Sequence, residues 1–113
     1  MKLTSLNELS QEAVSHNKEI QKKVMLRKGD LPHLTNFSMA TFPPHQTAAA
    51  HFHSDMCEVF FVQSGSGTIC IDGTDYPLQP GTCIAVEPGE SHEISNPGSS
   101  DLVILYFGLQ VGA

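Results

Sequence analysis

Turn-forming residues interrupt this chain too often for long helices to form. Glycine reaches positive φ without steric cost and proline fixes φ, so clusters of the two mark places where a chain reverses direction. Such clusters recur through the second half of the chain, at residues 64–67, 72–73, 80–81, 88–89 and 96–98. The segments between them have the length of strands, which indicates a fold made of short strands joined by tight turns.

The segments between turns are also rich in β-branched and aromatic residues, as strands are. Eight segments are predicted as strands: 22–28, 34–42, 48–54, 58–63, 67–71, 81–86, 92–95 and 101–109. With 113 residues, the chain is long enough for one domain but not for two. The pattern therefore predicts an all-β sandwich or barrel.

The first residues have a different pattern, with leucines at helical spacing. Leu6 and Leu9 would share one face of a helix, and Ser5 followed by Glu8 fits a capping box. We predict a short amphipathic helix over residues 5–15, with His16 solvated at its end; a frayed tail is the alternative. The predicted organisation is an N-terminal helical extension, residues 1–17, followed by a β-barrel, residues 18–113.

The charges are divided unevenly along the chain. All six lysines and arginines lie in residues 1–28 beside three acids, so that segment carries 6 − 3 = +3. Residues 29–113 contain nine acids and no lysine or arginine, a balance of −9. Because such a surface repels a phosphate backbone, we exclude nucleic acid as a partner.

Two further features concern the compartment. No apolar run approaches the roughly 18 residues of a membrane span, and the N-terminus lacks the apolar stretch of a secretory signal. The three cysteines are odd in number and contain no C-x-x-C pair, which argues against a disulfide framework. We therefore expect a cytoplasmic protein with no membrane partner.

Two histidines separated by one residue, His51 and His53, carry the clearest chemical signal. On a strand they point to the same face with Cα atoms about 7 Å apart, so both imidazoles can approach one metal ion. A turn over residues 54–57 would return the chain as a strand that begins with Glu58 and places its carboxylate beside the two rings. His92 follows another turn and would lie on the inward face of its own strand.

The spacing of these residues resembles the two conserved motifs of the cupin superfamily. The two segments are His51-x-His53-x4-Glu58-x6-Gly65 and Gly81-x7-Gly89-x2-His92-x3-Asn96. The resemblance covers roughly residues 37–107 and implies a double-stranded β-helix, or jelly roll, that holds one divalent metal ion inside the barrel. The ligands that it implies are His51, His53, Glu58 and His92, and the ion is expected to be Fe, Mn, Ni or Zn.

Two positions depart from the family pattern, and both are turn positions. His45 stands where the first motif usually has glycine, and Glu87 stands where the second usually has proline. We expect His45 to be a surface turn residue rather than a fifth ligand. Cys57, next to Glu58, is expected to be a packed or exposed thiol rather than a soft ligand.

A metal held by three histidines and one carboxylate in an octahedral site keeps two open positions. The resemblance therefore implies a dioxygenase-type oxidoreductase acting on a small organic molecule, a metal-dependent isomerase, or a non-catalytic module that binds or senses a small ligand. An isomerase needs an acid or base near the metal, and the sequence shows no obvious candidate beyond Glu58. No catalytic residue is assigned.

The small ligand is expected to be neutral or weakly acidic, such as an aromatic diol or a diketone. Sugar phosphates and 2-oxo diacids are normally recognised by arginine or lysine, and residues 29–113 contain neither. Only Arg27 and Lys28 are expected to reach into the barrel.

The last predicted strand is apolar on both faces. Leu102, Ile104 and Tyr106 alternate with Val103, Leu105 and Phe107. A strand that is buried on both sides of a one-domain barrel suggests a subunit interface, so a homodimer is predicted.

Overall fold

Two antiparallel sheets make up the computed structural model, which describes residues 1–15 and 17–112. The strands are β1 (Glu12–Val14), β2 (Asn17–Arg27), β3 (Leu34–Phe42), β4 (Thr47–His51), β5 (Met56–Ser64), β6 (Gly67–Ile71), β7 (Thr74–Leu78), β8 (Cys83–Val86), β9 (His92–Ser95) and β10 (Leu102–Gln110). The larger sheet has the order β1-β2-β3-β10-β5-β8, and the smaller has the order β4-β9-β6-β7. The predicted all-β jelly-roll barrel is confirmed.

The core lies between the inner faces of the two sheets. Alternate residues of each strand point inward, as the period of a strand requires. The larger sheet contributes Ile20, Ala40, Phe42, Phe60, Val62, Val86, Leu102 and Ile104, and the smaller sheet contributes Ile69, Leu78 and Ile94. Because β10 pairs with β3 on one side and β5 on the other, its inward residues Leu102 and Ile104 are 0% and 1% exposed.

Asn96 joins three segments near one end of the barrel. Its buried side-chain amide donates to the Phe42 and Ser100 carbonyl oxygens, each at 2.8 Å, and its Oδ1 accepts from the Gly98 N–H at 3.0 Å. A buried amide is stable only when its donors and acceptor are satisfied. The motif asparagine therefore fixes the chain where β9 ends and the loop to β10 begins.

The helix predicted over residues 5–15 is wrong. The segment contains a 3-10 helix of three residues, Leu6–Glu8, and Ser5 makes no side-chain capping bond. A helix this short is marginal in water, whereas strand β1 gains backbone pairing with β2 at the edge of the larger sheet. Lys23 Nζ also donates to the Leu6 carbonyl at 3.1 Å and holds the 3-10 helix against the sheet.

Strand β7 was absent from the sequence prediction. Its residues are mostly exposed and include Pro77, which lacks the N–H that a ladder needs. The strand is tolerated because it lies at the edge of the smaller sheet, where one row of backbone groups needs no partner. Among the described residues, no helix is long and apolar enough to cross a membrane.

Candidate metal centre

Four side chains from three strands and one loop converge at one end of the barrel. His51 ends β4, His53 follows it, Glu58 lies on β5 and His92 begins β9. One ligand atom from each lies within 4.8 Å of every other. Since two ligands on opposite sides of an ion are separated by about 4 Å, this spread is close to that of a ligand set that shares one ion.

Backbone pairing places His51 beside His92. The two residues are partners in the β4–β9 ladder, and their ring centroids are 4.3 Å apart. His51 Nδ1 lies 2.8 Å from the Ala49 carbonyl, and His92 Nδ1 lies 3.2 Å from the Glu90 carbonyl. Each Nδ1 can therefore carry the proton and donate it to a carbonyl oxygen, which leaves each Nε2 lone pair available to a metal ion.

His53 reaches the cluster from a loop, whereas the sequence placed it on the same strand as His51. The ladder ends at His51, and the His53 carbonyl accepts a 2.7 Å hydrogen bond from the Gly89 N–H. Gly89 has φ +86°, a conformation that glycine adopts readily. This turn thus holds the His53 backbone beside the strand that carries His92.

Glu58 lies at the centre of the cluster and is 7% exposed. Its Oε1 is 3.1 Å from His92 Nε2 and 3.3 Å from His53 Nε2. Burial lowers the pKa of His92, but the hydrogen bonds to Glu58 and to the Glu90 carbonyl outweigh it and hold that pKa above its usual value. The negative charge of Glu58 stabilises a cation bound among these imidazole nitrogens. Three imidazoles and one carboxylate are compatible with a single divalent metal ion.

The turn that precedes His92 is braced from two sides. The Glu87 N–H donates to Glu90 Oε1 at 2.7 Å, and the Ser91 N–H donates to Asp72 Oδ1 at 2.9 Å. The Asp72 N–H in turn donates to the Ser91 carbonyl at 2.9 Å. His92, 2% exposed, is therefore held in position by neighbouring backbone as well as by packing.

The four ligand residues line a cavity of about 240 Å³ inside the barrel. Most of the wall is apolar and includes Phe60, Ile94 and Ile104. This volume is below the roughly 300–1,000 Å³ of pockets that take drug-sized ligands, so the cavity suits a smaller molecule.

Polar residues line the part of the cavity formed by β2, β3 and β10. Tyr106 stacks on Phe60 with ring centroids 5.6 Å apart, and the buried Ser38 hydroxyl donates to Asn36 Oδ1 at 2.7 Å. Burial raises the pKa of Tyr106, and a hydrogen bond with Ser38 opposes that shift only in part. Tyr106 is therefore neutral near pH 7 and can offer a hydroxyl group to a ligand.

Lys22 and Asn36 line the cavity, although neither was expected from the sequence. The expectation that only Arg27 and Lys28 reach inward is wrong, since Lys22 lines the cavity and those two do not. The sequence does contain a pattern that indicates this position, because Lys22 alternates with Ile20 and Val24, which are buried on β2.

The weaker candidates lie outside the ligand cluster of the described residues. His45 is exposed, and its N–H donates to the Asn96 carbonyl at 2.7 Å in a turn with φ +66°. His33 also occupies a positive-φ turn. The Cys57 thiol faces the Leu109 carbonyl at 3.8 Å. His16, expected to be solvated, lies outside the residues that the structure describes.

Comparison with known proteins connects this geometry to a family. The family model of the cupin domain matches residues 38–108, which is 108 − 37 = 71 of the 113 residues. The oxalate-binding protein of Thermotoga maritima is 32% identical over 69 residues, or 61% of this chain and 57% of that protein. The match thus spans less than two thirds of the length of that relative.

Solved structures share the fold at low sequence identity. A predicted oxalate decarboxylase from Thermotoga maritima has a TM-score of 0.90 at 24% identity, covering 96% of this chain and 99% of that chain. A sugar phosphate isomerase of the cupin superfamily from Silicibacter pomeroyi has a TM-score of 0.82 at 18% identity, covering 95% and 74%. Since the family model covers more than half of the residues and the two sheets form the barrel that it implies, this chain belongs to the cupin domain family.

Proposed function

We propose that this cupin holds one divalent metal ion on His51, His53, Glu58 and His92 and binds a small, neutral or weakly acidic organic molecule at that ion. The observation that carries the proposal is the placement of all four donor atoms within 4.8 Å of one another at the wall of a largely apolar cavity. A molecule in this cavity can contact the ion with one end and the apolar wall with the other.

When bound, a divalent ion supplies Lewis acidity and two open positions for ligand oxygens. The protein's part is to orient the imidazoles through the Ala49 and Glu90 carbonyls and to exclude water with residues such as Phe60 and Ile94. The name of the Thermotoga maritima relative supports chelation through two oxygens but not the charge of the proposed ligand, since oxalate is a dianion near neutral pH, whereas a catechol or a diketone presents two oxygens as a weakly acidic or neutral molecule.

The proposal is tested by calorimetric titration of catechol and of oxalate into metal-free protein and into protein loaded with Mn²⁺ or Zn²⁺. We expect saturable binding of at least one chelator to the loaded protein and none to the metal-free protein. Equal binding with and without metal would contradict a ligand site at the ion.

The catalytic form of the proposal is a dioxygenase-type oxidation of the bound molecule, and the alternative is a non-catalytic binding or sensing module. Among the described cavity residues, Glu58 is the one carboxylate, and it is assigned to the ion, which disfavours the isomerase alternative. Oxygen uptake by Fe²⁺-loaded protein, measured with each chelator that binds, separates the two. Uptake that requires the bound molecule identifies an oxidoreductase; binding without uptake identifies a module.

We also propose that the working form is a cytoplasmic homodimer that pairs through the outer face of the larger sheet. This outer apolar face comprises Phe37, Met39, Val59, Phe61, Val103, Leu105 and Phe107, which are neighbours in the ladders of β3, β5 and β10. Phe61 is 42% exposed, and the ring centroids of Phe37 and Phe107 are 6.3 Å apart. A second copy supplies a matching apolar surface, since a twofold interface is self-complementary.

The dimer prediction is tested by light scattering at micromolar concentration. We expect a mass near 2 × 12.2 = 24.4 kDa for the native chain and near 12.2 kDa for a Phe61→Glu variant, because a buried unpaired carboxylate disrupts an apolar interface. Tyr76→Glu is the matched control, since Tyr76 is 47% exposed on the smaller sheet. A native monomer would reject the proposal.

A further inference from the structure

Lys22 places a positive charge at the wall of the metal cavity. It lies between Ile20 and Val24 on the inward face of β2, and those two residues are 0% and 6% exposed. Its side chain is half-buried and lines the same cavity as Glu58 and His92. An inward lysine in an apolar layer needs a compensating partner, because burying an ammonium group costs free energy unless it is paired.

Within the described residues, Lys22 makes no ion pair with a carboxylate inside 4.0 Å. Glu12 is the acid opposite it in the β1–β2 ladder. That carboxylate is paired with Arg27, and the hydrogen bond from Arg27 is the first cause of its lowered pKa. The charge of Lys22 contributes to the lowered pKa of Glu12 only after Arg27, so the acid opposite Lys22 is engaged mainly by Arg27.

Lys22 is too far along the sheet to belong to the metal cluster. Successive ladders place Lys22 opposite Val62, so Glu58 lies three strand spacings across the sheet and four residues along it, roughly 20 Å along the sheet surface. Tyr106 of β10 lines the cavity between them, whereas Asn36 of β3 lies in register with Glu58. A molecule that extends from the ion toward Lys22 would thus meet an aromatic hydroxyl group and then an ammonium group.

We propose that Lys22 recognises an anionic group on the end of the ligand remote from the metal, so that the ligand combines an oxygen-chelating head with a carboxylate. This inference rests on the proposed function, because the metal fixes the position of the head. It assigns Lys22 as a specificity-determining residue and narrows the proposed ligand to a weakly acidic molecule with one distal carboxylate. The ammonium group would then gain a charge-assisted hydrogen bond when the ligand binds.

Two probes with the same chelating head test this assignment. Catechol and 3,4-dihydroxybenzoate differ by one carboxylate opposite the two hydroxyls, and both are titrated calorimetrically into metal-loaded protein. For the native chain we expect the carboxylate to tighten binding by about tenfold to a hundredfold, the range for a hydrogen bond between charged partners. In Lys22→Met that gain is lost, while the affinity for catechol stays within about twofold.

Lys18→Met is the matched control. It removes the same charge from an exposed position of the same strand, and Lys18 does not line the cavity. It should keep the native preference for 3,4-dihydroxybenzoate. Metal content and melting temperature, measured for each variant, confirm that the site and the fold are intact.

The outcomes separate this inference from the proposed function. If catechol binds only to the loaded protein but the carboxylate adds nothing, or if Lys22→Met keeps the preference, the assignment of Lys22 is overturned and the proposed function stands. If neither probe shows metal-dependent binding, the ligand site at the ion fails, and the inference fails with it.

Discussion

A His51→Ala, His53→Ala double variant is expected to lose more than about a thousandfold in affinity for divalent metal. Protein sites bind such ions with about 10–16 kcal/mol shared among four ligands, so removing two ligands costs several kcal/mol. The remaining pair, Glu58 and His92, lies 3.1 Å apart and can still contact an ion, but two donors do not hold it. Metal content after dialysis against a weak chelator, measured by plasma mass spectrometry, gives the result.

The matched control is a His33→Asn, His45→Asn double variant. It removes the same number of imidazoles, and asparagine tolerates the positive φ of +68° and +66° at these positions. This control should retain native metal content. Full metal content in the His51, His53 variant would show that the ligand assignment is mistaken.

A Gly65→Ala variant is expected to be destabilised by about 3–5 kcal/mol, a range that points to a defined structural cause. Gly65 follows β5 with φ +79°, where an L side chain is strained. An added Cβ would also lie inside contact distance of the Asp101 carbonyl oxygen and 2.9 Å from Leu102 Cα. Both are backbone atoms at the start of the central strand β10, so neither can turn aside. Urea denaturation measures the loss.

Gly73→Ala separates strain from collision. Gly73 has φ +86°, but no atom lies within 4 Å of the position that an added Cβ would take. Only the conformational cost remains, about 1–2 kcal/mol. Equal losses of stability in the two variants would show that Gly65 is not required by the close approach of β10.

The strands that sequence patterns predicted best are those with strong alternation or a continuous apolar run. Strands β3, β5, β6 and β10 lie within a few residues of their predicted positions, because each buries one face or both. Strands β1 and β7 lie at sheet edges and are mostly polar or exposed. Each pairs only with the strand next to it in sequence, β2 and β6 respectively, but neither has the apolar alternation that a local pattern detects.

The convergence of the ligand residues could be predicted because the spacing of two motifs contains it. His51 and His92 are 41 positions apart in sequence, and the family resemblance, not local periodicity, supplied their convergence on one ion; their pairing in one ladder is a finding of the structure. The position of His53 was less accurate. Its placement depends on the hydrogen bond from Gly89 after β4 has ended, which is a tertiary contact.

The cavity beyond the ligands was predicted less well. Lys22 was counted among the basic N-terminal residues, although the alternation of Ile20, Lys22 and Val24 predicts a shared face. The sequence alone did not reveal the order of strands, which places β2 and β5 in one sheet around the same cavity. The preference for a neutral or weakly acidic ligand stays a prediction. The ammonium group of Lys22 in the cavity favours the weakly acidic form.

The central claim is that one divalent ion is bound by this set of four residues, and anomalous X-ray diffraction from crystals of metal-loaded protein tests it most directly. Data collected on both sides of the absorption edge of Mn or Zn locate the ion independently of the protein atoms. We predict one peak about 2.0–2.3 Å from Nε2 of His51, His53 and His92 and from a Glu58 carboxylate oxygen. A peak at another site, or none in protein that contains metal in solution, would contradict the account.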